Sequence, residues 1–290
     1  LGLLPKPGRN ALADALDSKL KNCSPNENGF PIAAIDTIYF DTPEDAIIKL
    51  MERLKENPNA LILAPFLLGW EHQYAKAMQQ YNDVPTVLPF SLLNPPDENN
   101  WIFSFPGLES QILALLKSAK AEGYTQLRIY SEPENTLGVK LATVAIEMAN
   151  AHGMSTIADV SERTHKQGKI ASLWLKQFNP NQVEQSLLKD ELMLVPVLFF
   201  KPNQSNENSQ KNLLPQRHIA YPYNPKVGEN GTWRKPVDVW AGAGCKFLSL
   251  IGEKSLSLNK LPEILKWEDH LFLYNRPNLD LLSDQVFIYK

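Results

Sequence analysis

The residues of this chain that most readily supply metal ligands, nucleophiles or general bases are its five histidines and two cysteines. Metal sites and hydrolase active sites need such residues at short spacings or in local motifs. The chain has no GxSxG, GxxxxGK[ST] or HExxH motif, no GxGxxG after its first strand and no CxxC pair. The histidines stand singly: His72, His152, His165, His218 and His270. We therefore predict that the protein is not an enzyme and has no catalytic residues, no metal and no cofactor.

The two cysteines, Cys23 and Cys245, leave two alternatives open. A disulfide between them would close a very long loop and contribute roughly 5 kcal/mol on the chain-entropy model. The alternative is a pair of unbonded cysteines on buried helix faces, where cysteine behaves as a small apolar residue.

Length and composition describe an ordinary globular protein with room for two domains. The chain has 290 residues, 43% of them hydrophobic, with a formal net charge of -3 and a pI near 6.0. These values exclude disorder, collagen and coiled coil, and give no field that would concentrate nucleic acid. No apolar run is long enough to span a membrane, and the opening "LGLLP" lacks a basic region, so we expect that any signal peptide has been removed.

Short apolar runs alternate with segments of helical period along most of the chain. "IDTIYFD" predicts a strand, and "TPEDAIIKLMERLKEN" predicts a helix with Thr42 as N-cap and Pro43 in its first turn. The pattern restarts at Leu108, with strands at "TQLRIY", "IASLWL" and "VPVLFF", and a helix over "NPNQVEQSLLKDEL" between the last two. Two doubly wound halves with mostly parallel sheets are the predicted fold class, α/β.

The last third of the chain differs in composition from the segments before it. Residues 201–235 are polar and rich in turn residues. "VDVWAGAGCKFLSLIG" then predicts a helix in which Gly242 and Gly244 indicate close packing against a neighbour. We predict a short helix over "KLPEILK" and a closing strand over "DQVFIYK".

The order of these segments resembles the type I periplasmic binding protein family, in the branch of Leu/Ile/Val- and amide-binding proteins. The most similar stretch runs from "WIFSFPGLESQILALLKSAKAEGY" through "TQLRIYSEPENTLGVKLATVAIEMANAHG": a lobe crossing, a helix, a GY turn, a strand, a loop with asparagine and a long helix. "LGLLPKPGRNALADAL" resembles the family's first strand, ligand loop and first helix. One departure is the short "SERTHKQGK" where relatives have a full helix, which leaves the strand count of the second lobe open.

The resemblance implies two lobes, 1–106 with 236–272 and 107–235 with 273–290, joined by crossings near 105–107, 224–236 and 271–277. It places both cysteines in the first lobe. It also implies a monomeric, extracytoplasmic solute-binding protein that captures a small molecule in a cleft between the lobes by hinge closure. Its partner would be an ABC permease or a receptor. The alternative is a sensory or scaffold ectodomain of the same fold, similar to activators of cell-wall synthases, acting through protein–protein interaction.

Ligands of open α/β sheets bind beyond the carboxyl ends of parallel strands, so the loops there supply the candidate site. In the first lobe the candidates follow the first, third and fourth strands: Lys6, Arg9, Phe66, Leu68, Gly69, Trp70, Phe90, Ser91 and Leu92. In the second lobe they are Glu132, Asn135, Lys176, Gln177, Lys201, Tyr221 and Tyr223.

The third loop, "APFLLGWE", contains no serine or threonine, and only Ser91 supplies a hydroxyl in the fourth loop. Amino-acid-binding relatives use such hydroxyls to hold the ligand carboxylate. The expected ligand is therefore bulkier than a plain amino acid and partly apolar, with an optional anionic group for the lysine and arginine candidates. The alternative that Phe66, Leu68 and Trp70 only pack the base of a helix stays open.

Overall fold

The structure is a computed structural model that describes residues 1–23, 35–58, 60, 62–64, 67, 70–81, 84, 86–88, 101–103, 105–157, 168–176, 191–200, 216–227, 232–234, 238–242, 244–245, 264–267, 271–274 and 283–290. The chain forms two compact units. The first unit comprises Leu1–Gly107 and Tyr223–Asn278, and the second comprises Leu108–Pro222 and Leu279–Lys290. The backbone therefore passes between the units three times.

Within the described residues, the first unit has a seven-stranded sheet. Its strands are β1 (Gly2–Pro5), β2 (Thr37–Phe40), β3 (Ile62–Leu63), β4 (Thr86–Leu88), β5 (Trp101–Phe103), β13 (Ile264–Trp267) and β14 (Leu271–Tyr274). The strand order is β13-β14-β5-β4-β3-β1-β2. Strands β1 to β5 run parallel. Strand β14 pairs antiparallel with both β5 and β13, and β13 is the edge strand.

Three described helices belong to this unit: α1 (Ala11–Lys21), α2 (Pro43–Glu56) and α3 (Glu71–Met78). The predicted start of α2 is confirmed, because the Thr42 side chain accepts a hydrogen bond from the backbone N–H of Asp45, 3.2 Å away. The apolar face of α2 buries Leu50 and Leu54 completely. Burial of such leucine side chains stabilises the unit by about 1.5–3 kcal/mol each.

The second unit, in the part that the structure describes, has a six-stranded sheet in the order β15-β10-β9-β8-β6-β7. Its strands are β6 (Tyr124–Tyr130), β7 (Ser155–Ile157), β8 (Lys169–Trp174), β9 (Leu192–Pro196), β10 (Arg217–Tyr221) and β15 (Phe287–Tyr289). Strands β6 to β10 are parallel, and β15 pairs antiparallel with β10.

Helices α4 (Leu108–Ala121) and α5 (Thr136–Ala151) belong to the second unit and contact each other. Helix α4 also contacts β9 and β10, and it is buried around most of its circumference, including Ile112, Leu115 and Leu116. It ends at the predicted GY turn, where Gly123 has a φ of +84° that a side chain would strain.

Two predicted elements are wrong in position or type. The strand predicted over "VPVLFF" is instead β9, and the residues after Pro196 form a 3-10 turn, Val197–Phe199. The predicted helix "KLPEILK" is wrong at its carboxyl end, which lies in β13. Leu273 and Tyr274, assigned to the second lobe by the sequence, lie in β14 of the first unit's sheet.

The hairpin of β11 (Lys226–Val227) and β12 (Thr232–Trp233) was absent from the predicted elements, and it belongs to the first unit. The predicted lobe boundaries differ from the units in this stretch, because 223–227 and 232–234 belong to the first unit. The helix predicted over 179–192 falls almost entirely outside the described residues.

A disulfide between Cys23 and Cys245 joins the end of α1 to the late helical segment, whose described residues are 238–242 and 244–245. The two Cα atoms are 5.4 Å apart. A Cβ at Gly244 would lie 2.5 Å from Leu20 of α1, so the predicted close packing holds for Gly244. It does not hold for Gly242, where a Cβ would meet nothing within 4 Å.

Reduction of the disulfide is expected to lower the free energy of unfolding of the first unit by up to about 5 kcal/mol, because the bond closes a loop with a sequence separation of 222. Urea unfolding with and without a reductant measures the change. The double variant Cys23→Ser/Cys245→Ser should unfold at the same urea concentration in both conditions. An unchanged midpoint for the reduced wild-type protein would contradict the expectation.

Candidate functional site

Each sheet reverses its strand order beside its first strand, and this reversal locates the crevice in which open α/β sheets bind ligands. In the first unit the reversal lies between β1 and β3, and in the second unit between β6 and β8. The side chains at the carboxyl ends of these strands are therefore the ones to compare with the predicted site.

The loop after β1 holds two of the predicted cations, Lys6 and Arg9. Lys6 forms an ion pair with Asp41, which follows β2, and the Arg9 Nε lies 3.8 Å from the same carboxylate. The loop is ordered by Gly8, whose backbone N–H donates to the Asp14 carboxylate at 3.0 Å. Asp41 thus offsets the positive charge of Lys6 and Arg9, the two residues predicted to bind an anionic ligand group.

Trp70 precedes α3, and two edge-to-face ring contacts fix its position. Its ring centroid is 5.6 Å from Phe40 at the end of β2 and 6.1 Å from Tyr74 of α3. Tyr74 is fully buried, and its hydroxyl lies 2.9 Å from the Thr86 hydroxyl. For Trp70, these contacts favour the alternative that the ring packs against a helix.

Two aromatic side chains meet at the carboxyl ends of β6 and β8 in the second unit. Tyr130 and Trp174 are register partners on these strands, and their rings stack with centroids 4.5 Å apart and planes inclined by 21°. Trp174 is 7% exposed, whereas Tyr130 is half-buried. The Nζ of Lys176 lies 5.5 Å from the centre of the Trp174 ring, a cation–π contact. We call Tyr130, Trp174 and Lys176 the aromatic platform.

Three buried polar side chains lie next to the platform on the same face of the sheet, towards the amino ends of the strands. Arg128 and Ser172 are register partners two residues before Tyr130 and Trp174. Glu191, which directly precedes β9, forms an ion pair with Arg128 and accepts a hydrogen bond from the Ser172 hydroxyl. All three are less than a tenth exposed. Glu191 therefore ties β6 and β8 together immediately below the platform.

The loop from β6 to α5 closes against the end of β8. Asn135, a predicted ligand residue, acts as the N-cap of α5, with its side-chain oxygen accepting from the Gly138 N–H at 3.0 Å. A Cβ at Gly138 would lie 2.7 Å from the Leu175 carbonyl oxygen, so only glycine fits this approach. Glu132 is exposed in the same loop and bonds Asn135 through its backbone carbonyl.

The structure separates the two predicted tyrosines. Tyr221 ends β10 in the second unit and is buried. Tyr223 belongs to the first unit, where its ring packs edge-to-face against Phe105 with centroids 6.0 Å apart. Burial raises the pKa of Tyr223 to about 12.

The remaining predicted ligand residues lie outside the described residues: Phe66, Leu68, Gly69, Phe90, Ser91, Leu92, Gln177 and Lys201. Their assignment stays a prediction. Sequence reasoning missed Tyr130 and Trp174, although "LRIY" and "SLWL" each place an aromatic residue at or near a strand end. Only the pairing of β6 with β8 brings the two rings together.

In the described part of the chain, no group of three or more histidine, cysteine, aspartate or glutamate side chains is arranged to hold a metal ion. None of the described helices is both long enough and apolar enough to cross a membrane.

Comparison with known proteins gives matches in structure alone. No protein-family model matches the chain, and no curated protein sequence is significantly similar to it. The C-domain of LpoA from Haemophilus influenzae, a regulator of PBP1A, has a TM-score of 0.57 at 12% identity, covering 93% of this chain and 90% of its own. A branched-chain amino acid ABC transporter periplasmic ligand-binding protein from Burkholderia xenovorans has a TM-score of 0.58 at 9% identity, covering 87% and 78%.

An ABC transporter substrate-binding protein from Desulfitobacterium hafniense, in complex with Leu, has a TM-score of 0.52 at 12% identity, covering 90% of this chain and 84% of its own. The chain has the type I periplasmic binding protein fold. This confirms the predicted fold class and the resemblance at the level of fold. The neighbours are binding proteins and a regulator rather than enzymes, and identities this low carry no information on ligand or partner.

The variant Arg128→Met should be less stable than the wild-type protein by about 3–5 kcal/mol, because it leaves the Glu191 carboxylate buried without its cation. Replacing the whole group, as Arg128→Met/Ser172→Ala/Glu191→Leu, should restore most of the loss, since no buried polar partner is then left unpaired. Urea midpoints of the two variants give the comparison. Equal stability of Arg128→Met and wild type would show that the ion pair does not hold the strands.

Proposed function

We propose that the protein is an extracytoplasmic binding protein that takes up a small, partly apolar molecule at the carboxyl edges of its parallel strands. The observation that carries the proposal is the aromatic platform. It combines a stacked ring pair with a lysine at the strand-order reversal of the second unit, the position at which this architecture places ligands.

The chemistry of the platform supports a ligand with an apolar face. Aromatic rings provide large contact areas that lose little conformational entropy on binding, and a neighbouring ammonium group can pair with an anionic substituent. In the first unit, Lys6 and Arg9 already pair with Asp41, so Lys176 is the better of these three cations for that role. The predicted loop residues outside the described part of the chain remain candidates to complete the site.

Binding rather than turnover is the proposed mechanism. A ligand shifts a conformational equilibrium only by the difference between its affinities for the two states, so closure of the two lobes would follow from contacts available only in the closed state. The proposed partner of the closed form is an ABC permease or a receptor. The structural likeness to ABC substrate-binding proteins supports this choice at the level of the fold.

A second candidate is a regulatory scaffold that binds another protein and no small molecule. The observation that favours it is the likeness to the LpoA C-domain, a regulator of PBP1A, whose TM-score of 0.57 lies between the 0.52 and 0.58 of the two transporter proteins. The pairing of Lys6 and Arg9 with Asp41 is compatible with this candidate, since it removes free charge from one ligand loop.

A thermal-shift screen of small metabolites, including amino acids, amides and aromatic acids, tests the choice. A ligand at a hundredfold excess over its Kd stabilises the protein by about 2.7 kcal/mol, which such a screen detects. Calorimetry then measures each hit against Tyr130→Leu and Lys176→Met. We expect Tyr130→Leu to weaken binding by roughly 5- to 150-fold, because it removes about 1–3 kcal/mol of ring contact.

The strand pair β6–β8 offers matched controls. Lys169 lies over the Tyr124 ring at 5.3 Å at the opposite end of these strands, so Tyr124→Leu and Lys169→Met repeat the two substitutions away from the platform. Both controls should bind the ligand as the wild type does. Equal weakening by Tyr130→Leu and Tyr124→Leu would place the site elsewhere, and a screen without any hit would favour the scaffold candidate.

A further inference from the structure

His218 is a fully buried histidine at the amino end of β10, opposite to the carboxyl edge where the platform lies. Its Nδ1 lies 3.1 Å from the Ser118 hydroxyl, and its Nε2 lies 3.3 Å from a Glu122 carboxylate oxygen. Ser118 is in α4 and Glu122 follows that helix, so the imidazole bridges β10 to one end of α4. His218 therefore takes no part in the proposed small-molecule site at the carboxyl ends of the strands.

Glu122 is shared between His218 and Lys290. Lys290 directly follows β15, and its ammonium group forms an ion pair with the same carboxylate oxygen that faces His218. The Gln216 side chain donates to the other oxygen at 3.4 Å. One carboxylate therefore connects α4, β10 and β15.

The strand register places His218 and Lys290 opposite each other. Strand β15 pairs antiparallel with β10, with Ile219 across from Tyr289 and Ala220 across from Ile288. Continued by one residue, this register sets His218 across from Lys290, which directly follows β15. Like charges directly opposite each other in an antiparallel pair are destabilising.

We propose that His218 is a proton-operated latch for β15: the neutral imidazole holds the strand in place, and protonation loosens it. Protonation would place two cations across from each other, with Glu122 as the carboxylate between them. The other neighbours of the imidazole supply no second anion among the described residues: Leu194 of β9 faces it in the register, and Lys169 acts on Glu122 as a further cation. This inference is independent of the proposed small-molecule site.

The direction of the pH dependence follows from burial. Burial lowers the pKa of His218 below its ordinary value, and the nearby Lys290 acts in the same direction, although Glu122 opposes both. When β15 detaches, water reaches the edge of β10 and the Lys290 cation leaves, so the pKa of His218 rises towards its ordinary value of about 6.5. Attachment of β15 is therefore fully stabilised above pH 6.5 and weakens as the pH falls towards the lowered pKa.

The latch acts on a strand that the chain reaches directly after its third passage between the units. Residues from Leu279 onward belong to the second unit, and β15 is the strand in that segment. Lys117 of α4 adds a second attachment there, since its ammonium donates to the Ser283 hydroxyl at 2.8 Å. Release of β15 would therefore free the chain from Phe287 onward, while Ser283 stays attached to α4.

Hydrogen exchange followed by mass spectrometry tests the latch, with exchange of the peptide 283–290 measured between pH 7.5 and 5.0 and corrected for the intrinsic rate. We expect its protection to fall by at most about ten-fold per pH unit below pH 6.5, since one proton is linked to the opening. Peptides from β6 and β8 should keep their protection. The fall should be absent in His218→Gln and smaller in Lys290→Gln.

His152→Gln is the matched control, because His152 caps α5 in the same unit and lies away from β15. It should reproduce the wild-type pH dependence. A pH-dependent fall that persists in His218→Gln, or that is unchanged in Lys290→Gln, overturns the latch, as does constant protection of 283–290 in the wild type. If His218→Gln does not fold, the Lys290→Gln comparison decides.

Discussion

The reversal of strand order in each sheet decides where side chains from different parts of the chain can meet. Open α/β sheets form their ligand crevice where the strand order reverses, which here is beside β1 and beside β6. The strand ends there carry stacked rings in the second unit and the paired charges of Lys6 and Asp41 in the first unit. The two edges share an architecture and differ in chemistry, because the chemistry of a site depends on the side chains placed on a fold rather than on the fold itself.

Two carboxylates among the described residues of the second unit each connect several elements. Glu191 reaches two neighbouring strands below the platform, and Glu122 connects a helix with two strands at the other end of the sheet. Buried or shared carboxylates of this kind add little net stability but impose one arrangement, because a displaced partner leaves a charge without compensation. The first unit achieves the same purpose covalently, since Cys23 and Cys245 join segments from opposite ends of the chain.

Local patterns predicted the elements whose signals are local. The Thr42 cap, the turn at Gly123 and the leucine face of α2 all follow from residues within one helix length. The apolar run from Leu192 to Phe200 does not reveal where a buried strand ends, and β13 forms through pairing with β14 rather than through its own sequence. The platform and the contacts of His218 form only because particular strands pair in the sheet. The sequence of a single segment does not determine that pairing.

The missing side chain at Gly138 has a mechanical consequence. The backbone of α5 touches the Leu175 carbonyl at the end of β8, one residue after Trp174, so the first turn of the helix and the strand end cannot shift independently. Helix α5 has 16 residues and is about 24 Å long. A shift of the strand end would therefore be passed to the first turn of α5 and, through the packing of this helix, to α4 and β7. The Asn135 cap lies at the same end of the helix as this contact.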